Sequence, residues 1–180
     1  MKILKKTTIM KQLFFVLSMV IVVSSVFAQT TAPKSPAATA TGVLKSGTHI
    51  TITYSSPSVR GRKIWGGLVP MDSVWRAGAN EATQIEFDKA VKIDGQNLAA
   101  GKYTIYMAPR EEKWVVIFSS QTGQPGMNHD GSTTLDFKKE VLRALATPKK
   151  TNEFKESLIY TINEKGMVLS WGKIRYNPSN

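Results

Sequence analysis

Arginine and tryptophan side chains are concentrated in one irregular stretch, residues 57–83. A guanidinium presents a planar fork of N–H donors that suits a carboxylate or a phosphate. A tryptophan ring offers an apolar face against which a sugar ring can lie. The stretch therefore predicts a binding site for an anionic or carbohydrate ligand. The candidate ligand-binding residues are Arg60, Arg62, Trp65, Trp75, Arg76, Asn80 and Glu81.

The same arginines also have a structural interpretation. Arg76 can pair with Glu81 or Asp72, and Arg60 and Arg62 can tie the stretch to main-chain carbonyls, as arginines in irregular loops often do. In that case the stretch only closes the fold. The sequence leaves open a binding module and a structural protein of the cell envelope that has no ligand.

Catalytic signals are weaker. A hydrolase needs a general base, most often a histidine, and the chain has two, His49 and His129. His49 falls on the polar side of a strand, and His129 lies in a polar loop with no nucleophile elbow around it. A hydrolase using Glu81 or His129 is the remaining alternative, and the catalytic residues are unassigned.

Metal and cofactor sites are not indicated. There is no cysteine, and two distant histidines give no zinc spacing. Asn128, Asp130 and Asp136 do not follow the spacing of a calcium loop. No glycine-rich loop joins a strand to a helix, so we predict no metal and no cofactor.

Period-two alternation of apolar residues dominates the rest of the chain, which predicts an all-β fold. We expect a single antiparallel β-sandwich, with a β-barrel as the alternative, and one long ordered loop at 57–83. Residues 84–87 and 91–93 are expected to pair as a hairpin, and Asp94-Gly95 to make a tight turn. Pro148 is expected to end a short element at 141–146. The other expected strands are 50–54, 103–107, 114–118 (covered on both faces), 158–162 and 166–176.

The N-terminus predicts export. Four lysines precede an apolar run at 13–23, and a small residue, Ala28, follows. This order is typical of a secretory signal peptide, and the run is too short to span a membrane. We expect a signal peptide at 1–28, a flexible Thr/Ala/Pro-rich leader at 29–46 and one β domain at 47–180, with no transmembrane segment after cleavage. The product would be periplasmic or secreted.

Charge adds little about partners. The formal net charge is +11; without the four N-terminal lysines, 20 basic residues face 13 acidic ones, which leaves +7. The cations are scattered, and no basic block or basic-aromatic stripe favours nucleic acid. Attraction to anionic surfaces or polymers stays open.

The long loop also resembles a family. Residues 54–70 read YSSPSVRGRKIWGGLVP, residues 74–83 read VWRAGANEAT, and 98–103 read LAAGKY. These motifs resemble a bacterial domain-of-unknown-function family of exported proteins, over roughly the whole mature domain. The resemblance implies one exported β-rich domain without assigned catalytic residues. Family members usually carry arginine where this chain has Ser56, which removes one cation from any shared anion site.

Overall fold

A computed structural model describes residues 34–178. The predicted signal peptide and the first residues of the predicted leader lie outside the described residues. The described part contains no α-helix and nine strands. The strands are β1 (Ala37–Val43), β2 (His49–Ser55), β3 (Gln84–Phe87), β4 (Val91–Ile93), β5 (Gln96–Leu98), β6 (Gly101–Ala108), β7 (Trp114–Ser119), β8 (Glu140–Asn163) and β9 (Gly166–Pro178).

Seven strands form one antiparallel sheet in the order β1-β2-β3-β6-β7-β8-β9, and β4 pairs with β5 in a small second sheet. The large sheet curls into a half-barrel in which the first strand lies beside β8, with Gly42 close to Ile162. Just beyond the ends of these two strands, the Lys45 amide donates to the Glu164 carbonyl over 2.9 Å. The all-β antiparallel prediction is confirmed, and the half-barrel is consistent with either a sandwich or a barrel.

The core lies mainly inside this curl. Alternate residues of the strands face it, among them Ile52, Ile85 and Ile105. A second, smaller cluster on the outer face joins Tyr106, Ile117 and others to Leu135. All six residues of β7 are buried as a result, which confirms the prediction of a central strand covered on both faces.

Three predictions about the strands are wrong. Strands β3 and β4 do not pair with each other, since β3 lies between β2 and β6 and β4 pairs with β5. The predicted leader contains β1, which pairs with β2 along its whole length. Pro148 does not end an element: β8 continues past it, because pairing with β7 stops at Ala146 and proline is tolerated where one edge is unpaired.

The tight turns are where the sequence places them. Asp94 and Gly95 both have positive φ, 49° and 78°, and join β4 to β5, as the mirror-image hairpin turn requires. The final hairpin also forms, with Asn163 opposite Gly166. Its first strand is much longer than predicted, with register shifts at 150–155 and 155–159.

Candidate binding cleft at the arginine–tryptophan loop

The long loop, residues 57–83, is ordered and is attached to the sheet at both ends. Near its start, the Leu158 amide donates to the Pro57 carbonyl over 2.9 Å. Further on, Trp75 and Met107 exchange two main-chain hydrogen bonds, 2.7 and 2.8 Å long. The loop therefore rests on β8 and β6, as the prediction of an ordered loop folded against the sheet requires.

The four tryptophans form one cluster around Trp65. Its ring centroid lies 4.4 Å from that of Trp114, 5.8 Å from that of Trp75 and 5.7 Å from that of Trp171. Trp75 is 6% exposed and Trp171 is 1% exposed. Because protein atoms cover these rings, Trp75 offers no open face for stacking against a sugar, and the cluster instead holds the loop against the sheet.

Backbone strain is concentrated in the same loop. Arg60, Asp72, Ala77 and Asn80 all have positive φ, between 49° and 59°. Such a conformation costs an ordinary L-residue about 1–2 kcal/mol. Ala77, which is fully buried, is held by its carbonyl oxygen, which accepts hydrogen bonds from Tyr160 Oη (2.8 Å) and Thr83 Oγ1 (3.0 Å).

A cleft of about 400 Å³ opens beside this loop. Two of the predicted arginines line it, and most of the other lining groups are apolar. The lining residues that matter most are Arg62, Leu68, Val74, Trp75, Arg76, Met127 and Trp171. Apolar walls with a few placed polar groups are the usual composition of a small-molecule site.

Both cleft arginines are anchored to the main chain. Arg62 donates from Nε to the Val59 carbonyl over 3.1 Å and from Nη2 to the Ser58 carbonyl over 2.7 Å. Arg76 Nη1 donates to the carbonyls of Asn80 and, over 3.1 Å, Pro125. A guanidinium has five N–H donors, so each arginine keeps three that these bonds do not use.

Two buried N–H donors beside the cleft have no partner among the described residues. They are Arg76 Nε and Trp171 Nε1, each on a residue that lines the cleft. Burial also lowers the pKa of the Arg76 guanidinium, because removal from water disfavours its charged form. Because both donor atoms are buried, an acceptor in the cleft could reach them only if these side chains shift.

The other predicted site residues lie elsewhere. Arg60 is exposed and donates from Nη2 to the Lys34 carbonyl over 2.9 Å, and Asn80 Nδ2 donates to the Ser35 carbonyl over 3.1 Å. Glu81 is exposed and lines a second depression of about 260 Å³ beside β1 and β2. The structure thus brings Arg62, Arg76 and Trp75 together, with Trp65 packed behind them.

Among residues 34–178, Arg76 makes no ion pair, contrary to the part of the structural interpretation that pairs it with Glu81 or Asp72. Asp72 lies instead 3.5 Å from Arg110, in an exposed ion pair. The other part of that interpretation, in which Arg60 and Arg62 bind main-chain carbonyls, matches their observed hydrogen bonds.

The residues considered for catalysis or metal binding do not converge. His49 and His129 are exposed, and neither lines the cleft or the depression that contains Glu81. Hydrogen bonds from the side chain and amide of Ser132 hold the pKa of Asp130 below its usual value. Within residues 34–178, no three acidic or histidine side chains come together as a metal site.

Sequence reasoning missed Met127 and Trp171, which complete the cleft wall. Trp171 lies on β9, about a hundred residues after the loop, and its alternation with buried neighbours indicated only core packing. Met127 follows Gly126, whose absent side chain lets the 120–136 segment approach Arg76. No local signal in the sequence points to either contact.

Comparison with known proteins gives a family. The family described as protein of unknown function DUF2911 matches residues 35–178, so the chain belongs to this family, and the match includes β1 within the predicted leader. Comparisons with curated proteins and with solved structures returned no match. Among the described residues, none of the helices is long and apolar enough to cross a membrane.

Proposed function

We propose that this member of the DUF2911 family is an exported, non-catalytic binding module, and that the cleft takes a small anionic ligand with an apolar body. One observation carries the proposal: Arg62 and Arg76 line one cleft while main-chain carbonyls fix both guanidinium groups. Anchored donors lose less conformational freedom when a ligand arrives, which favours binding.

The composition of the walls supports an anion over a carbohydrate. Trp75 is covered by other rings, while Leu68, Val74 and Met127 supply apolar contact beside the two cations. The unpaired donors Arg76 Nε and Trp171 Nε1 add to this, because a buried donor without a partner costs about 1–3 kcal/mol. A carboxylate, phosphate or sulfate that draws these N–H groups to itself recovers part of that cost.

The test is a thermal-shift screen of residues 29–180 against carboxylates, phosphates, sulfates and glycans, each with short and long apolar groups. A ligand at a hundred times its dissociation constant stabilises by about 2.7 kcal/mol. For a domain of roughly 150 residues, that raises the melting temperature by about 5–10 °C.

The controls use the arginines themselves. Arg62→Ala and Arg76→Ala should abolish the ligand-induced rise, whatever they do to the melting temperature without ligand. Arg60→Ala removes a guanidinium that also binds a carbonyl but does not line the cleft, and it should keep the rise. A rise that survives both cleft substitutions would place the ligand elsewhere.

A structural role is the second candidate, because all three arginines donate to main-chain carbonyls. It predicts that no ligand in the panel raises the melting temperature, and that all three variants melt lower than the parent.

Glu81→Gln and His129→Ala test the remaining hydrolase alternative. Loss of a measured hydrolytic activity in either variant would overturn the non-catalytic assignment.

Export is tested separately. The lysine-rich start and the apolar run at 13–23 predict that the mature chain begins at Gln29. N-terminal sequencing of protein recovered from the periplasm or the medium should give Gln29. Recovery of the intact chain with Met1 from the cytoplasm would contradict export.

A further inference from the structure

The outer face of β8 carries exposed apolar residues at its beginning. Side chains of this strand alternate, with Leu142, Ala144 and Ala146 buried. On the opposite side of the strand, Val141 is 46% exposed and Leu145 is 42% exposed, and Arg143, which pairs with Glu140, lies between them. Phe137, in the short 3₁₀ helix immediately before the strand, is 58% exposed. Isolated exposed apolar residues are ordinary, but three within nine residues, two of them on one face of a strand, are a candidate contact surface.

The covering of the outer sheet face stops at β8. On β7, the outward residues Val115 and Ile117 are buried in the outer cluster, together with Leu135 from the loop that precedes the 3₁₀ helix. Leu145 lies directly opposite Val115, yet it is exposed. The apolar surface therefore continues from the covered strand onto an uncovered one.

Cations follow along the same face. Lys149 is an even number of residues from Val141 and Leu145, so its side chain lies on the same face of β8. It is directly opposite Arg175 of β9, so the Arg175 side chain projects from that face too. Lys173 shares this parity on β9. All three are exposed, and none makes an ion pair within the part of the chain that the structure describes.

Like charges placed directly opposite each other on paired strands are destabilising, so the Lys149–Arg175 pair weakens the hairpin in the free protein. An external anion would relieve the repulsion. At 3.3 Å per residue, the eight steps from Val141 to Lys149 span about 26 Å. The surface is thus about 26 Å long, with unpaired cations at one end and Val141 and Leu145 at the other, where the one charged neighbour, Arg143, is paired with Glu140.

We propose that this β8–β9 outer face is a docking surface for an anionic lipid bilayer. Val141, Leu145 and Phe137 enter the interface, and Lys149, Arg175 and Lys173 meet lipid phosphates. Apolar residues beside lysine and arginine are the composition that binds reversibly to such surfaces. The proposal does not depend on the cleft or its ligand.

Two other occupants fit the surface less well. A second copy of the chain on a twofold axis would bring the same patch onto itself, so it would offer these cations only its own cations or its apolar residues, and no anion. A soluble anionic polymer would satisfy the cations but would leave the apolar residues exposed. A bilayer with anionic headgroups accounts for both parts.

The test is flotation of residues 29–180 with vesicles of phosphatidylcholine alone or mixed with phosphatidylglycerol. The described residues 34–178 lie in one compact unit, and leaving out the apolar N-terminus removes a segment that would itself bind lipid. We expect binding to the anionic vesicles only, weakening as salt is raised. Lys149→Ala/Arg175→Ala should weaken it about thirtyfold.

Matched variants separate this surface from general charge. Lys45→Ala/Lys63→Ala removes two exposed lysines that lie outside β8 and β9 and should leave binding nearly unchanged. Val141→Ser/Leu145→Ser should weaken it about tenfold or more while keeping the melting temperature.

Four results would overturn the proposal. The first is no binding to anionic vesicles, and the second is an equal loss of binding in the control lysine variant and in Lys149→Ala/Arg175→Ala. The third is full binding by Val141→Ser/Leu145→Ser. The fourth is a dimer in light scattering that Val141→Ser/Leu145→Ser abolishes. Arg62→Ala should bind vesicles normally, so a failure of the cleft assignment and a failure of this one are distinguishable.

Discussion

Gly126 and Gly123 offer a matched test of how the 120–136 segment supports the cleft. Both have the same positive φ, 78° and 79°. A Cβ at Gly123 would have nothing within 4 Å, whereas a Cβ at Gly126 would lie 2.6 Å from Arg76 Cβ and 2.8 Å from Ala82 Cβ. Substitution by alanine therefore imposes the same backbone cost at both positions and a steric clash at only one.

The magnitudes follow from these contacts. Alanine at positive φ costs about 1–2 kcal/mol, so Gly123→Ala should lose about that much stability. Overpacking costs a further 1–3 kcal/mol, so Gly126→Ala should lose about 2–5 kcal/mol in total. Urea denaturation of both variants measures the difference: with a slope near 2 kcal/mol per molar, the midpoints should differ by about 1 M.

Equal losses in the two variants would mean that Gly126 does not pack against Arg76 and Ala82. A ligand for the cleft, once known, gives a second readout. Gly126→Ala displaces Arg76 and should reduce the ligand-induced thermal shift, while Gly123→Ala should leave that shift unchanged.

Three further predictions concern closure of the half-barrel and one loop carboxylate. Gly42→Ala would place a Cβ 2.7 Å from Ile162 Cβ and should cost about 1–3 kcal/mol; in urea denaturation, Ile162→Ala should cancel part of this loss, and strict additivity would contradict the contact. Ser56→Ala removes a buried 2.7 Å hydrogen bond to a β8 carbonyl and should lower the free energy of unfolding by about 1–3 kcal/mol; a loss below 0.5 kcal/mol would show that water replaces it. Ser132→Ala should raise the pKa of Asp130 in an NMR titration, because the hydrogen bonds from Ser132 lower that pKa. A carboxyl whose pKa is lowered in the folded protein stabilises the fold at pH values above its ordinary pKa of 3.8. That stabilisation is lost as the pH falls through the folded-state pKa. An unchanged Asp130 titration in the variant would exclude that cause.

Local signals predicted the local features well. The apolar run at 114–118 identified the central strand, and Asp94-Gly95 identified a hairpin turn, because each depends on neighbouring residues alone. The partner of β3 could not be read in this way. Its neighbours, β2 and β6, are chosen by the packing of the whole sheet, and period-two alternation is the same for any partner.

The first strand shows a different limit. Residues 37–43 contain alanine, threonine and glycine but only one large apolar residue, Val43, so composition predicted a flexible leader. The strand forms because its backbone pairs with β2 and because Gly42 permits close approach to Ile162 of β8. Small residues give little burial signal, although they are what a close contact between strands requires.

The candidate site was predicted in part. Arg62, Arg76 and Trp75 meet in one cleft, while Arg60, Asn80 and Glu81 lie outside it. All of these residues come from one irregular loop. The direction of each side chain there depends on turns with positive φ, and these turns follow no regular period. The concentration of arginine and tryptophan identified the region, but only the backbone conformation decides which of these residues line the cleft.

The strain in this loop bears on the choice between a structural and a binding role. Arg60, Asp72, Ala77 and Asn80 together cost several kcal/mol at about 1–2 kcal/mol each. Such conformations persist where surrounding contacts hold them, often at functional sites. Arg62 and Arg76 supply part of that hold through carbonyls. The same guanidinium groups then keep free donors on the wall of the cleft, so each has two separable effects. Loss of stability without ligand measures the first effect, and loss of the ligand-induced shift measures the second. If the loop only stabilises the fold, Arg60→Ala and Arg62→Ala should both lose stability and neither should change a ligand-induced shift. If the cleft binds a ligand, Arg62→Ala should also lose the ligand-induced shift, while Arg60→Ala should keep it.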